Sequence, residues 1–169
     1  MTAAALGLGA NLGDAANALR TAIAGLAADP QVEVTSVSGL WRTAAIGGPE
    51  QTDYLNAVAL VETSLAPREL LDLAQSLERA AGRRRDVRWG PRTLDVDLLD
   101  LEGVRSDDPE LMLPHPRAHE RAFVLAPWAQ VAPDWLLQPE GLPVRPVREW
   151  LADVTGQAVL LVDAEEWWR

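Results

Sequence analysis

Alternating hydrophobic and polar positions predict most of the β-strands of this chain. The segment 32–41 places valine, serine and leucine on one side, and 54–63 (YLNAVALVET) alternates in the same way. The segment 3–9 (AAALGLG) is a short apolar run, which is typical of a buried strand, and 93–101 (TLDVDLLDL) predicts another strand. These four segments are the expected strands of the main sheet.

Apolar residues at intervals of three or four predict two helices between these strands. The first follows the capping residue Asp14, and the second begins near Pro67 and ends at Gly82. Their apolar faces carry Leu19, Ile23 and Leu26 in the first helix, and Leu70, Leu73, Ala74, Leu77 and Ala81 in the second.

The resulting order is strand, helix, strand, strand, helix, strand, which is the order of the ferredoxin-like split βαβ fold. We therefore expect an α+β protein with an antiparallel sheet core and helices on both faces, in a three-layer αβα arrangement. Beyond this unit, 117–133 and 145–153 are predicted to be helical, and 158–162 is a predicted strand. The length of 169 residues, 48% of them hydrophobic, suits a single domain over 1–169.

The composition excludes several classes of function. The chain has no Cys, which excludes disulfides, thiolate nucleophiles and iron–sulfur clusters. All 15 basic residues are Arg, so a P-loop lysine and a Schiff-base lysine are absent. A net charge of −10 disfavours nucleic acid and anionic membranes, and no apolar run approaches the ~20 residues that span a bilayer. We expect a monomeric, cytoplasmic protein whose partners are small molecules.

Two carboxylates in a predicted strand are the sharpest local feature. Asp95 and Asp97 are two residues apart, so they share a strand face with their Cα atoms about 6.6–7 Å apart, while Leu94 and Val96 point into the core. Paired carboxylates are hard oxygen ligands that suit Mg²⁺. The competing interpretation is an edge strand with two solvated acids.

An arginine-rich segment lies just before these carboxylates. The sequence GRRRDVRWGPR begins at Gly82 and holds five arginines within ten residues. Guanidinium groups match phosphate oxygens bidentately, so arginines beside a metal-binding pair indicate a polyphosphate site. A solvated basic loop paired with nearby acids is the alternative interpretation.

Aromatic and amide residues form a second candidate site. Tyr54 and Asn56 share a face of the strand 54–63, and Phe123 is the only phenylalanine. Two aromatic rings can enclose a flat heterocycle while an amide reads its hydrogen-bonding edge. Tyr54 and Phe123 are also compatible with an ordinary core. In 113–123 (LPHPRAHERAF), His115 and Arg121 suit contact with phosphate, and their alternative roles are loop capping and a surface ion pair.

Four segments together resemble one family, the 6-hydroxymethyl-7,8-dihydropterin pyrophosphokinases of folate biosynthesis (HPPK). The segments are GANLGD (9–14), DYLNAV (53–58), RWGPRTLDVDLL (88–99) and LPHPRAHERAFVLAPW (113–128), and the resemblance extends from about residue 5 to 134. It implies an ATP-dependent transfer of diphosphate to the hydroxymethyl oxygen of the pterin, with release of AMP. The tail, 135–169, matches no motif.

The resemblance also implies residue roles. Asp95 and Asp97 are expected to bind two Mg²⁺ ions, with Arg83 and Arg92 as further catalytic residues. The expected phosphate- and nucleotide-binding residues are Gln75, Glu78, Arg83, Arg85, Trp89, Arg92, Leu98, Met112, His115 and Arg121. The expected pterin-binding residues are Thr43, Ala44, Ile46, Tyr54, Asn56, Trp89 and Phe123, and the loops 43–52 and 83–92 are expected to close over the ligands.

Two other functions remain open on the residues alone. A metal-dependent nucleotidyltransferase could use the same Asp-x-Asp pair, but it would release pyrophosphate rather than AMP. A non-catalytic ligand-binding module of ferredoxin-like fold would not require the carboxylates and the arginine cluster together.

Overall fold

Ten strands and four helices are present in the computed structural model, which describes residues 1–11, 14–43, 53–82, 94–164 and 166–169. The strands are β1 (Thr2–Ala10), β2 (Val32–Val37), β3 (Leu40–Thr43), β4 (Tyr54–Thr63), β5 (Asp95–Leu101), β6 (Ser106–Asp108), β7 (Leu111–Leu113), β8 (Leu136–Leu137), β9 (Arg145–Pro146) and β10 (Val159–Asp163). The helices are α1 (Ala15–Ala28), α2 (Pro67–Ala80), α3 (Ala122–Val131) and α4 (Val147–Asp153), with a 3₁₀ turn at Ala118–Glu120.

The main sheet joins β10, β3, β4, β1 and β5 in that order, and β2 pairs with the far half of β4. Every pairing in this sheet is antiparallel. Strand β5 is therefore at one edge of the sheet, and β10, from the tail, is at the other. The chain is an α+β protein.

Two hydrophobic clusters occupy the two faces of the sheet. On one face, Leu6 and Val61 pack with residues of α1 and α2 such as Leu19 and Leu70. On the other face, Ala5, Val58 and Leu99 pack with α3 and α4 through Leu125, Trp128, Val147 and Trp150. Among the described helices, none is long and apolar enough to cross a membrane.

The helix boundaries near the main sheet follow local signals in the sequence. Asp14 caps α1, because its carboxylate accepts the N–H of Asn17 at 3.1 Å. At the start of α2, Glu69 accepts the N–H of Ala66 at 3.0 Å. Gly82 ends this helix with a φ of +82°, the left-handed conformation that glycine adopts at low cost. These predicted boundaries are confirmed.

The prediction of one strand over 32–41 is wrong, because the strand breaks at Ser38 and Gly39. The hydroxyl oxygen of Ser38 accepts the N–H of Val58 at 2.9 Å, in place of a backbone carbonyl. Gly39 donates its N–H to Gln130 of α3 at 2.9 Å. A Cβ on Gly39 would lie 2.7 Å from the carbonyl oxygen of Asp163, so the close approach of β10 requires glycine here.

The region after β5 also differs from expectation. The hairpin of β6 and β7 was not predicted, since its strands are only three residues long. The predicted helix over 117–133 begins at Ala122, because Arg121 has an extended backbone with φ −115° and ψ 113°. The predicted last strand is confirmed as β10.

Trp167, in the tail, anchors this part of the chain to the core. Its side chain is 7% exposed, and its indole N–H donates to the carbonyl oxygen of Ser38 at 2.9 Å. Arg20 of α1 donates to the carbonyl oxygen of Trp167 at 2.8 Å. The tail therefore connects α1 to the junction between β2 and β3.

We expect Trp167→Ala to lower the free energy of unfolding by about 3–5 kcal/mol, because it removes a large buried side chain and leaves a cavity. Urea denaturation measures this loss. Trp168→Ala is the matched control and should cost less than half as much, because Trp168 is only half-buried. Equal losses in the two variants would show that Trp167 has no special anchoring role.

Candidate active site

Residues of three neighbouring strands form a row across one face of the sheet. Gly9 of β1 lies opposite Asn56 of β4 on one side and opposite Asp95 of β5 on the other. Directly opposed residues of antiparallel strands point to the same face, so the amide and the carboxylate share a face across a single glycine. With strands 4.7–4.9 Å apart, the Cα atoms of Asn56 and Asp95 are roughly 10 Å apart.

A second row lies next to the first. Gly7 lies opposite Val58 on β4 and Asp97 on β5. Because Val58 contributes to the cluster under α3, both rows lie on the α3 face of the sheet. The sequence therefore brings Asp95, Asp97 and Asn56 to one face, as the alternation of β4 and β5 predicted for each strand separately.

The two glycines form the floor between the amide and the carboxylates. A Cβ on Gly9 would lie 3.0 Å from Oδ1 of Asn56, and a Cβ on Gly7 would lie 3.2 Å from a methyl carbon of Leu99. Glycine inside a strand often marks a place where a ligand approaches the backbone closely. This floor was missed by sequence reasoning, although the alternation Gly7, Leu8, Gly9 is a visible signal.

The carboxylates fit a divalent cation. Asp95 is half-buried and Asp97 is exposed, whereas Val96 between them is buried on the opposite face. Mg²⁺ is commonly bound by one or two carboxylates and completes its six ligands with water and phosphate oxygens. The described residues contain no group of three or more His, Cys, Asp and Glu side chains that could hold a metal ion. Two carboxylates leave the other ligand positions of Mg²⁺ to water and phosphate oxygens.

Asn56 is held in a defined orientation. Its side chain is 6% exposed, and Nδ2 donates to the hydroxyl oxygen of Thr43 at 3.0 Å. Thr43 lies opposite Tyr54 in the pairing of β3 with β4, so these three polar side chains share a face. The Thr43 side chain thus orients the amide, a role that was not predicted from the sequence.

The first turn of α3 brings an aromatic ring and a cation to the same face. Phe123 packs against the cluster that contains Val58. The guanidinium carbon of Arg121 lies 5.6 Å from the centroid of the Phe123 ring, which is within cation–π distance. Phe123 is therefore on the side of the sheet that carries Tyr54 and Asn56.

His115 lies beside β5 as a neutral base. Its backbone N–H donates to the carbonyl oxygen of Leu99 at 2.8 Å, and its ring atom Nδ1 accepts the N–H of Arg117 at 3.2 Å. Burial lowers the pKa of His115 below its ordinary value, and the nearby charges of Arg121 and Arg117 lower it further. Since Nδ1 is an acceptor here, Nε2 carries the proton and can donate to an anion.

Three of the expected nucleotide-binding residues lie on the other side of β5. Leu98 is buried in the cluster under α1 and α2. Glu78 is buried too, and its Oε2 accepts the N–H of Val96 at 3.2 Å, so it satisfies a backbone group of the edge strand. Gln75 is half-buried on the same helix. The structure does not bring these side chains to the face that carries the carboxylates.

Met112 lies apart from both groups. It lines an open cavity of about 630 Å³ between the hairpin of β6 and β7, the segment after it and the loop at residue 140. The expected site residues Ala44, Ile46, Arg83, Arg85, Trp89 and Arg92 lie outside the described residues, as do most of the two predicted closing loops. Their roles stay predictions.

The family model for 7,8-dihydro-6-hydroxymethylpterin-pyrophosphokinase (HPPK) matches residues 5–133. The chain is similar to the 2-amino-4-hydroxy-6-hydroxymethyldihydropteridine pyrophosphokinase of Methylorubrum extorquens, with 43% identity over 163 residues that cover 96% of this chain and 100% of that protein. The corresponding protein of Bacillus subtilis is 44% identical over 126 residues, which cover 75% of each chain.

The fold is similar to that of a solved structure from a more distant protein. The crystal structure of wild-type Plasmodium falciparum HPPK-DHPS matches with a TM-score of 0.64 and 12% sequence identity. The match covers 89% of this chain and 44% of that one, so the chain spans less than half the length of the Plasmodium protein. At this level of identity the likeness concerns the fold alone.

Proposed function

The chain belongs to the 7,8-dihydro-6-hydroxymethylpterin-pyrophosphokinase family, and from this membership we infer that it is a pyrophosphokinase of folate biosynthesis. Its substrates are ATP and 6-hydroxymethyl-7,8-dihydropterin. The hydroxymethyl oxygen of the pterin attacks the β-phosphorus of ATP, the bond from this phosphorus to the α-phosphate oxygen breaks, and AMP leaves. The products are AMP and the pterin diphosphate.

The observation that supports this function most is the row Asn56, Gly9, Asp95. A flat bicyclic ring can lie on the bare backbone of Gly9 with its hydrogen-bonding edge at the Asn56 amide. Its opposite end then points toward β5, where Asp95 and Asp97 lie. We propose that the pterin binds in this orientation, so that its hydroxymethyl group faces the phosphates held at the carboxylates.

The residues of the α3 face have complementary roles in this proposal. Tyr54 and Phe123 flank the pterin ring, and Asn56, held by Thr43, reads its edge. Arg121 and neutral His115 donate hydrogen bonds to phosphate oxygens, together with Arg83, Arg85 and Arg92. Phosphoryl transfer depends on positioning and on neutralising charge, and these residues supply both.

Asp95 and Asp97 would hold two Mg²⁺ ions. Bound there, Mg²⁺ would supply positive charge that neutralises the triphosphate and would lower the pKa of the acceptor hydroxyl. The carboxylates lie on the face opposite the buried Val96, so a ligand can reach them without disturbing the core. Trp89 is a proposed contact of the nucleotide and, with Ala44 and Ile46, of the pterin. Nucleotide contacts of Gln75, Glu78, Leu98 and Met112 stay predictions, because their side chains lie away from the carboxylate face.

We propose the ferredoxin-like split βαβ class for the fold, with three αβα layers in a single domain over 1–169. The antiparallel order of β5, β1, β4 and β2 and the helices packed against both faces support this class. A monomeric state and a cytoplasmic location stay predictions.

The activity is tested by incubating the protein with ATP, Mg²⁺ and 6-hydroxymethyl-7,8-dihydropterin and identifying the products. AMP and the pterin diphosphate are expected in equal amounts. Release of inorganic pyrophosphate would instead identify a nucleotidyltransferase, and the absence of any turnover would leave a binding module.

The pKa of His115 provides a prediction on nucleotide binding. Its pKa is lowered in the free protein, and the negative charge of a bound triphosphate should raise it, because that charge favours the protonated imidazole. ATP binding should therefore take up a proton between the two pKa values, and ATP affinity should rise as the pH falls through that window. NMR titration of His115 with and without an ATP analogue measures the change. An unchanged pKa would contradict a contact between His115 and phosphate.

The same lowered pKa has a consequence for folding. The unfolded chain binds this proton more readily than the folded protein. The contribution of neutral His115 to stability is therefore fully present above about pH 6.5, the ordinary pKa of histidine, and is lost as the pH falls through the lower pKa of the folded protein. In urea denaturation at several pH values, His115→Gln should therefore lose less stability at acid pH than the wild-type protein does. In the NMR titration described above, His119→Gln serves to assign the two imidazole resonances.

A further inference from the structure

The side chain of Gln157, in the tail, forms hydrogen bonds with the backbone on both sides of Arg121. Oε1 of Gln157 accepts the N–H of Ala122 at 3.0 Å, and Nε2 of Gln157 donates to the carbonyl oxygen of Glu120 at 2.9 Å. The two backbone groups belong to the peptide units immediately before and after the Cα of Arg121. We propose that Gln157 is a positioning residue of the active site, which acts by fixing the backbone of Arg121.

Local backbone hydrogen bonds hold only the other group of each peptide unit: the N–H of Arg121 donates to the carbonyl oxygen of Ala118 at 3.5 Å, and the carbonyl oxygen of Arg121 accepts the N–H of Leu125 at 3.0 Å. Arg121 is the N-cap residue of α3, and its side chain makes no capping hydrogen bond. It lies between a 3₁₀ turn and an α-helix in an extended conformation, with φ −115° and ψ 113°. The N–H of Ala122 is one of the helix donors that have no partner within the helix, and Gln157 satisfies it from 35 residues away.

Holding both peptide units fixes φ and ψ of Arg121 together. These two angles determine the direction of the Arg121 side chain and the direction in which α3 begins. Phe123 lies in that first turn and has the Arg121 guanidinium 5.6 Å from its ring centroid. The amide group of Gln157, together with these local hydrogen bonds, thus places a proposed phosphate ligand and a proposed pterin contact.

The same part of the tail also pairs with the end of β3, which lies next to Asn56. Two residues after Gln157, β10 begins, and its first residue Val159 pairs with Thr43. Thr43 in turn orients Asn56. The segment 157–159 therefore joins the start of α3 to the end of β3, which are the two elements that flank the proposed pterin position.

The proposal rests on the proposed function, since the roles of Arg121 and Phe123 belong to it. Its test is a double-mutant cycle of Gln157→Ala and Arg121→Ala. In the otherwise wild-type protein, Gln157→Ala should lower kcat/KM about 10- to 100-fold, because small misplacements of a positioning group have effects of this size. In the Arg121→Ala background the same change should lower kcat/KM by a clearly smaller factor, because only the effect on Phe123 is then left.

Gln138→Ala is the matched control. Gln138 also lies in the tail, and its side chain accepts a hydrogen bond from Arg105 and donates one to the carbonyl oxygen of Leu142. Both glutamine variants should lower Tm by a similar amount, about 2–4 °C or less. Only Gln157→Ala should reduce activity. Equal factors in both backgrounds, or no loss of activity in Gln157→Ala, would overturn the proposal.

A second measurement separates this proposal from the function itself. The amide hydrogen of Ala122 should exchange faster in Gln157→Ala than in the wild-type protein. In Gln138→Ala its exchange rate should be unchanged. If the wild-type protein forms no AMP, the proposed function is wrong. If exchange at Ala122 is unchanged in Gln157→Ala, the proposal that Gln157 fixes the backbone of Arg121 is wrong, whatever the activity.

Discussion

Asp97→Ala is expected to lower kcat about a thousandfold or more, and Asp95→Ala should do the same. The two carboxylates share the α3 face of β5, where they would hold the cations that accompany ATP. Charge stabilisation of this kind contributes several kcal/mol to a transition state, and each 1.36 kcal/mol changes the rate about tenfold. Steady-state kinetics with saturating ATP and Mg²⁺ measures the loss.

The fold should survive the change at Asp97. Its side chain is exposed, so the free energy of unfolding should change by about 0.5 kcal/mol or less. Asp97→Asn keeps the shape and removes the charge, and it should be as inactive as Asp97→Ala. Asp107→Asn, an exposed carboxylate on β6, is the matched control and should keep full activity. Mg²⁺-dependent ATP binding by calorimetry gives a second readout, and normal Mg²⁺-dependent turnover in either aspartate variant would refute the metal assignment.

Elements whose signals are local were predicted well from the sequence. Strand β4 has the predicted bounds, and from Ala57 to Val61 its side chains alternate between the two hydrophobic clusters. Helix α2 begins at Pro67 and is terminated by Gly82, since both residues impose their backbone angles without help from the rest of the protein. Such signals do not depend on the partners that folding brings near.

Elements whose boundaries depend on distant contacts were not predicted. Alternation continues through Ser38, so the break between β2 and β3 is invisible in the pattern and arises from Gln130 and β10. At the start of α3, the N–H of Ala122 is satisfied by Gln157, which lies 35 residues away. No periodicity in the sequence encodes either contact.

In the candidate site, too, local relations were predicted from the sequence and long-range relations were not. Alternation within β5 was enough to pair Asp95 with Asp97, and alternation within β4 was enough to pair Tyr54 with Asn56. That the two pairs face the same side, separated by Gly9, depends on the register of three strands. Register is set by pairing across long distances in sequence, so the floor of the site became visible only in the structure.

Asn56→Ala is expected to weaken pterin binding about 10- to 100-fold and to leave ATP binding nearly unchanged. The side chain is 6% exposed and directed by Thr43, so it can meet a ligand edge with little loss of side-chain entropy. Its removal leaves the buried edge of the pterin without a partner, which costs about 1–3 kcal/mol. Calorimetry with the pterin and, separately, with an ATP analogue measures the two affinities.

Two further variants locate the effect. Thr43→Val keeps the shape of the side chain but removes the hydroxyl that accepts from Nδ2 of Asn56, so it should weaken pterin binding by a smaller factor than Asn56→Ala. Gly9→Ala places a methyl group 3.0 Å from Oδ1 of Asn56 and on the proposed ring position, so it should weaken pterin binding while Asn56 itself is intact. Equal losses of pterin and ATP affinity in Asn56→Ala would mean that the amide supports the sheet rather than the ligand. Full pterin affinity in Gly9→Ala would show that the ring does not lie on this floor.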